Sequence, residues 1–254
     1  MILCVLPWFL IAECKMKEIT KEMLLKDKLR GKFIVLDGPD GCGKTVQLEL
    51  LKTHLVNNGV TVVQTNDPGG TRIGNQISSL LKYDAQGYMD VATEALLFMA
   101  SRAQLVSEIV KPALEAGKTV LCDRFISSTC AYQGSNGYPI EKIIELGKFA
   151  VGDIWPDLTV IIDIPIEEGR ERTGHKPYQK TKVNHKDANQ AYLFDNAIAD
   201  RFDSRTLEYH RKVRKWFLKI GEYYPGTVKI VDGGADIQTV HNRILEVISE
   251  TSFK

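Results

Sequence analysis

The 254-residue chain lacks the features that mark several large protein classes. Its five cysteines show no C-x-x-C spacing, which excludes a zinc ribbon and gives no sign of a disulfide framework, so a reducing, cytoplasmic setting is expected. An excess of charge is also missing, since 33 Lys and Arg residues stand against 32 Asp and Glu residues. No general nucleic-acid-binding surface is therefore expected. The length suits one large α/β domain.

The chain also lacks an apolar run long enough to span a bilayer. Its most apolar stretch, residues 1–13, contains Pro7 and falls short of the roughly 20 residues that a membrane-spanning helix needs. The stretch resembles the apolar part of a signal peptide, but no Lys or Arg precedes it and no good small-residue cleavage site follows. We instead expect translation to begin at Met16, residues 1–31 to be an N-terminal extension without function, and the chain to have no membrane partner.

A phosphate-binding signature is present at residues 33–47. The apolar run at 33–36 is typical of a buried parallel strand; G-x-x-x-x-G-K-T follows it, and Leu48, Leu51 and Leu55 then recur at helical spacing. Strand, glycine loop and helix in this order let backbone N–H groups and a helix N-terminus converge on a phosphate. The residues expected to bind ATP are Gly38, Gly41, Cys42, Gly43, Lys44 and Thr45.

Particular side chains around this loop have predicted roles. Lys44 is expected to contact the β- and γ-phosphates, and the Thr45 hydroxyl is expected to bind Mg²⁺. Asp123 is the second predicted magnesium ligand, because it ends an apolar strand at 119–123 and the carboxyl ends of parallel strands meet at one edge of a sheet. Arg124 follows it and can bind a phosphate or a carboxylate through its forked guanidinium.

The remaining pattern alternates strands with helices. Strands are predicted at 33–36, 61–65, 119–123, 158–163 and 227–231, and helices after the phosphate loop, at 90–116, at 140–151, up to Arg172, at about 204–221 and near the C-terminus. This alternation indicates an α/β fold of the P-loop NTPase type, a three-layer fold in which a five-stranded parallel sheet has helices on both faces. Residues 32–254 are expected to form this domain, with a polar lid at about 173–199.

Phe98 and Arg102 lie four residues apart in the predicted helix at 90–116, so their side chains point from one face. An aromatic ring and a guanidinium at this spacing can stack on a base and hydrogen-bond to it. In a second interpretation, Phe98 belongs to the core and Arg102 is a solvated charge. This segment alone leaves both interpretations open.

Several stretches taken in order resemble the thymidylate kinase (dTMP kinase) family from about residue 33 to the C-terminus. They are the P-loop with Asp40 inside it, D-P-G-G-T at 67–71, L-F-M-A-S-R at 97–102, D-R-F at 123–125, Ser128, A-Y-Q-G at 131–134 and D-R-F-D at 200–203. Beyond the P-loop no single stretch is specific, but their order and spacing together are. The resemblance implies phosphorylation of dTMP to dTDP by ATP, with Mg²⁺ as cofactor, in a homodimer.

The resemblance also implies roles at the sugar and phosphate of the acceptor nucleotide. Asp40 would accept a hydrogen bond from the 3′-hydroxyl of the deoxyribose, and Arg124 would hold the acceptor phosphate. Tyr132 would crowd the 2′ position and so reject ribonucleotides. Gln133 would lie near the base or the sugar.

At the base, the resemblance implies a stacking residue and hydrogen-bonding residues. Phe98 would stack on thymine, and Arg102 would reach its O4 edge. Thr129 or Ser128 would reach the N3–H group.

The chain departs from the family pattern near the acceptor phosphate. Asn66 stands where an arginine often precedes the acidic-Pro-Gly-Gly stretch, Asn75 and Ser78 stand where a Glu and an Arg are usual, and Val46 replaces a hydroxyl. Three alternatives therefore stay open beside dTMP as acceptor: a different nucleoside monophosphate, a nucleoside hydroxyl, or a nucleotide-binding regulator that no longer turns over.

Some thymidylate kinases carry an arginine in the P-loop directly after the Asp, where this chain has Gly41. We expect another arginine to stabilise the transferring phosphoryl group. Arg172 is the predicted donor, Arg201 is expected to order the far side of the lid, and Arg170 is expected to face solvent. The predicted catalytic set consists of Asp40, Lys44, Arg124 and Arg172.

Overall fold

The computed structural model describes residues 24–83, 89–174 and 205–253. Its sheet consists of parallel strands in the order β2-β3-β1-β4-β5. The strands are β1 (Phe33–Asp37), β2 (Val62–Asn66), β3 (Thr119–Asp123), β4 (Leu158–Asp163) and β5 (Thr227–Asp232). The predicted α/β fold with a five-stranded parallel sheet is therefore confirmed, and each strand end lies within one residue of its predicted position.

A helix follows each strand along the chain. The helices are α1 (Lys44–Asn57), α2 (Arg72–Tyr83), α3 (Val91–Leu105), α4 (Lys111–Glu115), α5 (Ile126–Ser135), α6 (Ile140–Val151), α7 (Ile166–Arg172), α8 (Leu207–Lys219) and α9 (Ile237–Glu250). A π-helical turn, Val106–Val110, joins α3 to α4, so the helix predicted at 90–116 is one helical run. Residues 24–29 are also helical, and a 3₁₀ turn, Ile220–Glu222, follows α8.

The central strand β1 shows how the layers are held together. Phe33 and Val35 belong to a core cluster shared with α3, α5, α6 and α8, whereas Ile34 and Leu36 belong to a second cluster shared with α1 and α9. All four side chains are completely buried. A strand covered on both faces has no solvent-facing positions, which is why this segment is uniformly apolar.

Helix α5, like α2, is absent from the sequence-based prediction. Its first turns contain Ser127, Ser128 and Thr129, which are weak helix formers because their hydroxyls compete for backbone groups. Here all three are buried, and their hydroxyls bond to the distant side chains of Asp37 and Arg102 instead. Tertiary contacts therefore determine the conformation of this segment.

Some predictions lie outside the described residues. They concern the extension up to residue 23, the lid from 175 to 199, and Arg201. Within the ranges that the model describes, no helix combines the length and apolarity needed to cross a membrane.

Candidate active site

A cavity of about 1310 Å³ opens at the carboxyl ends of the strands, above the phosphate loop. This is where ligands bind in open α/β sheets. Every predicted site residue except Gly38 lines it: Asp40, Gly41, Cys42, Gly43, Lys44, Thr45, Phe98, Arg102, Asp123, Arg124, Ser128, Thr129, Tyr132, Gln133 and Arg172. The fold therefore brings together residues that are far apart in the sequence.

The phosphate loop holds the ammonium group of Lys44 at its centre. Lys44 Nζ donates to the carbonyl oxygens of Gly38 and Pro39 at 3.1 and 2.9 Å, and the residue is 7% exposed. Gly43 adopts φ 96°, a left-handed conformation that turns the chain into α1. The cation and the helix N-terminus therefore point to the same space, which suits a bound polyphosphate.

Thr45 and Asp123 form a pair of oxygen ligands beside the loop. The Thr45 hydroxyl donates to Asp123 Oδ2 at 3.2 Å. The second oxygen, Asp123 Oδ1, is buried and has no hydrogen-bond partner among the described residues. A hydroxyl and a carboxylate placed side by side are hard oxygen ligands of the type that Mg²⁺ prefers, so this pair fits the predicted metal.

Arg124 connects the phosphate loop to α5. Its backbone has φ 67°, in the left-handed region, and its Nη1 donates to the Gly38 carbonyl at 3.1 Å and to Ser128 Oγ at 3.0 Å. Its Nη2 forms an ion pair with Asp40. The Tyr132 hydroxyl donates to the other oxygen of Asp40, and the guanidinium of Arg124 lies 5.4 Å from the centre of the Tyr132 ring.

Asp40 is held as a carboxylate by these neighbours. Burial raises its pKa, but the positive charges of Arg124 and Lys44 outweigh that effect and hold the pKa below its usual value. Asp40 is therefore an ionised hydrogen-bond acceptor inside a loop that otherwise attracts anions.

A second carboxylate, Asp37, was missed by the sequence analysis. It is completely buried at the end of β1 and accepts from the hydroxyls of Ser127 and Ser128 at 2.6 and 2.7 Å. Arg124 Nη1 lies 3.3 Å from its Oδ1. Asp37 therefore helps to fix Arg124 and Ser128. Its place at the carboxyl end of a strand, which identified Asp123, could also have identified Asp37.

The interpretation of Arg102 as a solvated charge is wrong. Its side chain is 1% exposed, because Nε donates to Asp67 Oδ2 at 2.6 Å and Nη2 donates to Thr129 Oγ1 at 3.1 Å. Burial raises the pKa of Asp67 in spite of this cation. Phe98 is half-buried, packs against the core and also lines the cavity, so its stacking on a base stays a prediction.

The other predicted residues are fixed by contacts of their own. Gln133 is completely buried, and its Nε2 donates to Glu94 Oε2 at 3.0 Å. Arg172 lines the opposite side of the cavity, where its Nη2 forms an ion pair with Glu168 and donates to the Gly233 carbonyl at 3.2 Å. Arg170, which was expected to face solvent, is half-buried.

Comparison with known proteins identifies the family. The family model described as thymidylate kinase matches residues 36–244. The chain belongs to the thymidylate kinase family. It is 39% identical over 214 residues to the thymidylate kinase of Limosilactobacillus fermentum, a match that covers 84% of this chain and 92% of that protein. It is 37% identical over 217 residues to the thymidylate kinase of Exiguobacterium sibiricum, covering 85% and 93% of the two chains.

The fold agrees with a solved member of the family. The crystal structure of thymidylate kinase from Ehrlichia chaffeensis matches with a TM-score of 0.62 and 31% identity, covering 87% of this chain and 99% of that one. The family expected from the sequence motifs is therefore confirmed. The roles of individual residues stay predictions.

Proposed function

We propose that the chain transfers the γ-phosphoryl group of ATP to dTMP, giving ADP and dTDP. The position of Arg124 carries this proposal. Its guanidinium touches the phosphate loop at Gly38, so a phosphate bound by Arg124 would lie beside the γ-phosphate bound by Lys44. Family membership supports the same reaction, since the relatives compared above are named thymidylate kinases.

Direct transfer between two phosphates depends on positioning and charge neutralisation rather than on covalent chemistry. Lys44 and the backbone N–H groups of the glycine loop supply that neutralisation at the donor. Thr45 and Asp123 would hold Mg²⁺, which neutralises phosphate charge when it is bound. Asp40 stays ionised and offers an acceptor for the 3′-hydroxyl of the deoxyribose, beside the ring of Tyr132 that limits space at the sugar.

Thymine is proposed to stack on the cavity side of Phe98. Arg102 keeps donors for the O4 atom, because its guanidinium has five N–H groups and Asp67, Met99 Sδ and Thr129 occupy only part of them. Ser128 both donates to Asp37 and accepts from Arg124. Thr129 Oγ1 likewise accepts one hydrogen bond, from Arg102, so each of the two hydroxyl oxygens retains a lone pair to accept from N3–H.

Homodimer formation is also proposed. Helices α2, α3 and α6 pack side by side on one face of the sheet. They carry large apolar side chains at the surface, among them Leu96 at 54% exposure and Phe149 at 93%. Sedimentation analysis of Phe149→Asp beside the wild type tests this, and an unchanged sedimentation coefficient would contradict it.

Cytoplasmic location fits the free, buried thiols of Cys42, Cys122 and Cys130.

The reaction is tested by measuring ADP release with dTMP, dUMP, UMP, dCMP, AMP and dGMP as acceptors. We expect dTMP to give the highest kcat/KM, and Lys44→Ala to lower that value by about 10²–10³ without unfolding the protein. A higher kcat/KM for another acceptor would replace dTMP in the proposal. ATP binding without turnover of any acceptor would identify a regulator instead.

A further inference from the structure

Glu94 is a buried carboxylate to which the reaction assigns no role. It lies in the first turn of α3, is 2% exposed, and stands one helical turn before Phe98. Gln133 Nε2 donates to its Oε2 at 3.0 Å, and Arg205 Nη2 donates to its Oε1 at 2.9 Å. A carboxylate removed from water in this way is costly unless it is paired, so these donors define its surroundings.

The two partners of Glu94 are joined to each other through Tyr132. Gln133 directly follows Tyr132 on α5. Arg205 lies over the ring of Tyr209, with 4.7 Å from its guanidinium carbon to the ring centre, and the Tyr209 hydroxyl donates to the Tyr132 carbonyl at 2.9 Å. Glu94, Gln133, Tyr209 and Arg205 therefore form a ring of contacts that the Tyr132 backbone carbonyl closes, and we call it the Glu94 ring.

The Glu94 ring joins three helices by polar contacts, in addition to their apolar packing and to the Arg102–Thr129 hydrogen bond between α3 and α5. Glu94 belongs to α3, Gln133 to α5 and Tyr209 to α8. A buried ion pair adds little net stability compared with an apolar replacement of the same shape, but it selects one geometry. On the cavity side of the ring, the Tyr132 hydroxyl contacts Asp40.

We propose that Glu94 is a positioning residue for the nucleoside pocket, where it fixes Tyr132 through Gln133 and Arg205 and so sets the discrimination between deoxyribose and ribose. This inference rests on the proposed function, because it assigns Tyr132 to the sugar of the acceptor. Glu94 itself is not among the described residues that line the cavity. Its effect should appear in acceptor binding and in sugar preference, with ATP binding unaffected.

Glu94→Gln tests the proposal because it keeps the shape of the side chain and removes one acceptor. The Gln133 amide and the Arg205 guanidinium both donate to Glu94, whereas an amide side chain offers a single oxygen, so one contact is lost. We expect the KM for dTMP to rise about tenfold or more and the preference for dTMP over ribothymidine monophosphate to fall at least about fivefold. The KM for ATP in Glu94→Gln should stay within about twofold of the wild-type value. Glu108→Gln is the control, because Glu108 is an exposed glutamate on the π turn that follows α3. All kinetic constants of this control should stay within about twofold of the wild type.

Arg205→Met provides the rescue. In Glu94→Gln/Arg205→Met, the oxygen of the new amide can accept from Gln133 without competition from Arg205, so we expect the KM for dTMP to fall part of the way back toward the wild-type value. Calorimetric titration with dTMP measures the same change without turnover. Equal loss of ATP and dTMP binding, or an unchanged sugar preference in folded Glu94→Gln, would overturn the proposal.

If Glu94→Gln does not fold, Arg205→Lys alone decides the proposal, since it keeps a cation beside the buried carboxylate and removes the guanidinium that lies over the Tyr209 ring. An unchanged sugar preference in that variant would then overturn it. The activity of the wild type distinguishes the proposed function from the proposed role of Glu94. Failure of the wild type to phosphorylate dTMP rejects the proposed function. Normal wild-type activity together with an unchanged sugar preference in the variant rejects only the role of Glu94.

Discussion

The backbone of Gly41 in the phosphate loop lies directly against the backbone of Gly169 in α7. A Cβ atom added to Gly41 would lie 2.1 Å from the Gly169 carbonyl oxygen, and one added to Gly169 would lie 2.4 Å from the Asp40 carbonyl oxygen. No side chain fits between the two segments. This contact places the end of α7, with Arg172, at the edge of the loop.

The contact predicts a large loss of stability in Gly41→Ala. The matched control is Gly59→Ala, because Gly59 has nearly the same φ, +74° against +77°, but no atom within 4 Å of an added Cβ. The left-handed conformation alone costs about 1–2 kcal/mol in either variant. Displacement of α7 should add about 1–3 kcal/mol for Gly41→Ala. Urea unfolding in the absence of nucleotide measures the loss of stability in both variants. Equal losses would show that α7 moves away from the added Cβ atom at no cost in free energy.

Phe98→Ala is expected to weaken the binding of dTMP far more than the binding of ATP. Stacking of a base on an aromatic ring is worth about 1–3 kcal/mol, so the KM for dTMP should rise by about 5- to 150-fold. Phe98→Tyr keeps the ring and serves as the control. Steady-state kinetics with each substrate in turn provides the measurement. A similar rise in both KM values, or unfolding of the variant, would show that Phe98 contributes to packing and not to stacking on the base.

We expect the folded protein to lose stability in mild acid because of His241. Its ring on α9 lies 5.9 Å from that of His54 on α1, and burial together with the charge of His54 lowers its pKa below 6.5. Below pH 6.5 the unfolded chain therefore takes up a proton that the folded chain does not. The free energy of unfolding should fall by up to about 1.4 kcal/mol per pH unit until the lowered pKa is reached.

Urea unfolding at pH 7.5, 6.5 and 5.5 measures this slope in the wild type and in His241→Gln. The difference between the two slopes isolates His241 from the other histidines. We expect a shallower slope in the variant. Parallel slopes would mean that His241 has the same pKa in the folded and unfolded chain.

The centre of the sheet could be predicted from local sequence because β1, β3 and β4 are buried on both faces. β1 alternates between two core clusters, so all its positions are apolar and a short β-branched run suffices to identify it. Helix α5 could not be predicted in this way. Its polar first turns are stabilised by Asp37 and Arg102, and no local pattern reports such distant partners.

The residues of the candidate site also divide into those that local sequence identifies and those that it does not. Lys44 and Thr45 belong to a motif whose spacing has a physical cause, so the sequence identified them. Asp67 and Arg102 are 35 residues apart, and each alone resembles an ordinary surface charge. Glu94 likewise depends on a partner 111 residues away. Charges that act through buried pairs are recognised only when the fold shows both members.

The catalytic arginine is expected to come from α7. Gly41 leaves the phosphate loop without the arginine that some family members carry there, and its contact with Gly169 leaves no room for one. The same contact brings Arg172 to the cavity, where the Gly233 carbonyl and Glu168 hold its guanidinium. An arginine that stabilises the transferring phosphoryl group is worth about 10³–10⁵ in rate. We therefore expect Arg172→Ala to lower the single-turnover rate at saturating ATP and dTMP by about 10³ or more.

Arg170→Ala is the matched control for this prediction, because Arg170 lies on the same helix and is expected to change the rate by less than about threefold. Arg201→Ala, outside the described residues, tests the far side of the predicted lid. A higher KM for ATP with an unchanged single-turnover rate would make Arg172 a residue that binds the donor nucleotide. Wild-type rates in all three variants would mean that neither α7 nor the predicted lid supplies the arginine, so that Lys44 and Arg124 carry the charge of the transferring group.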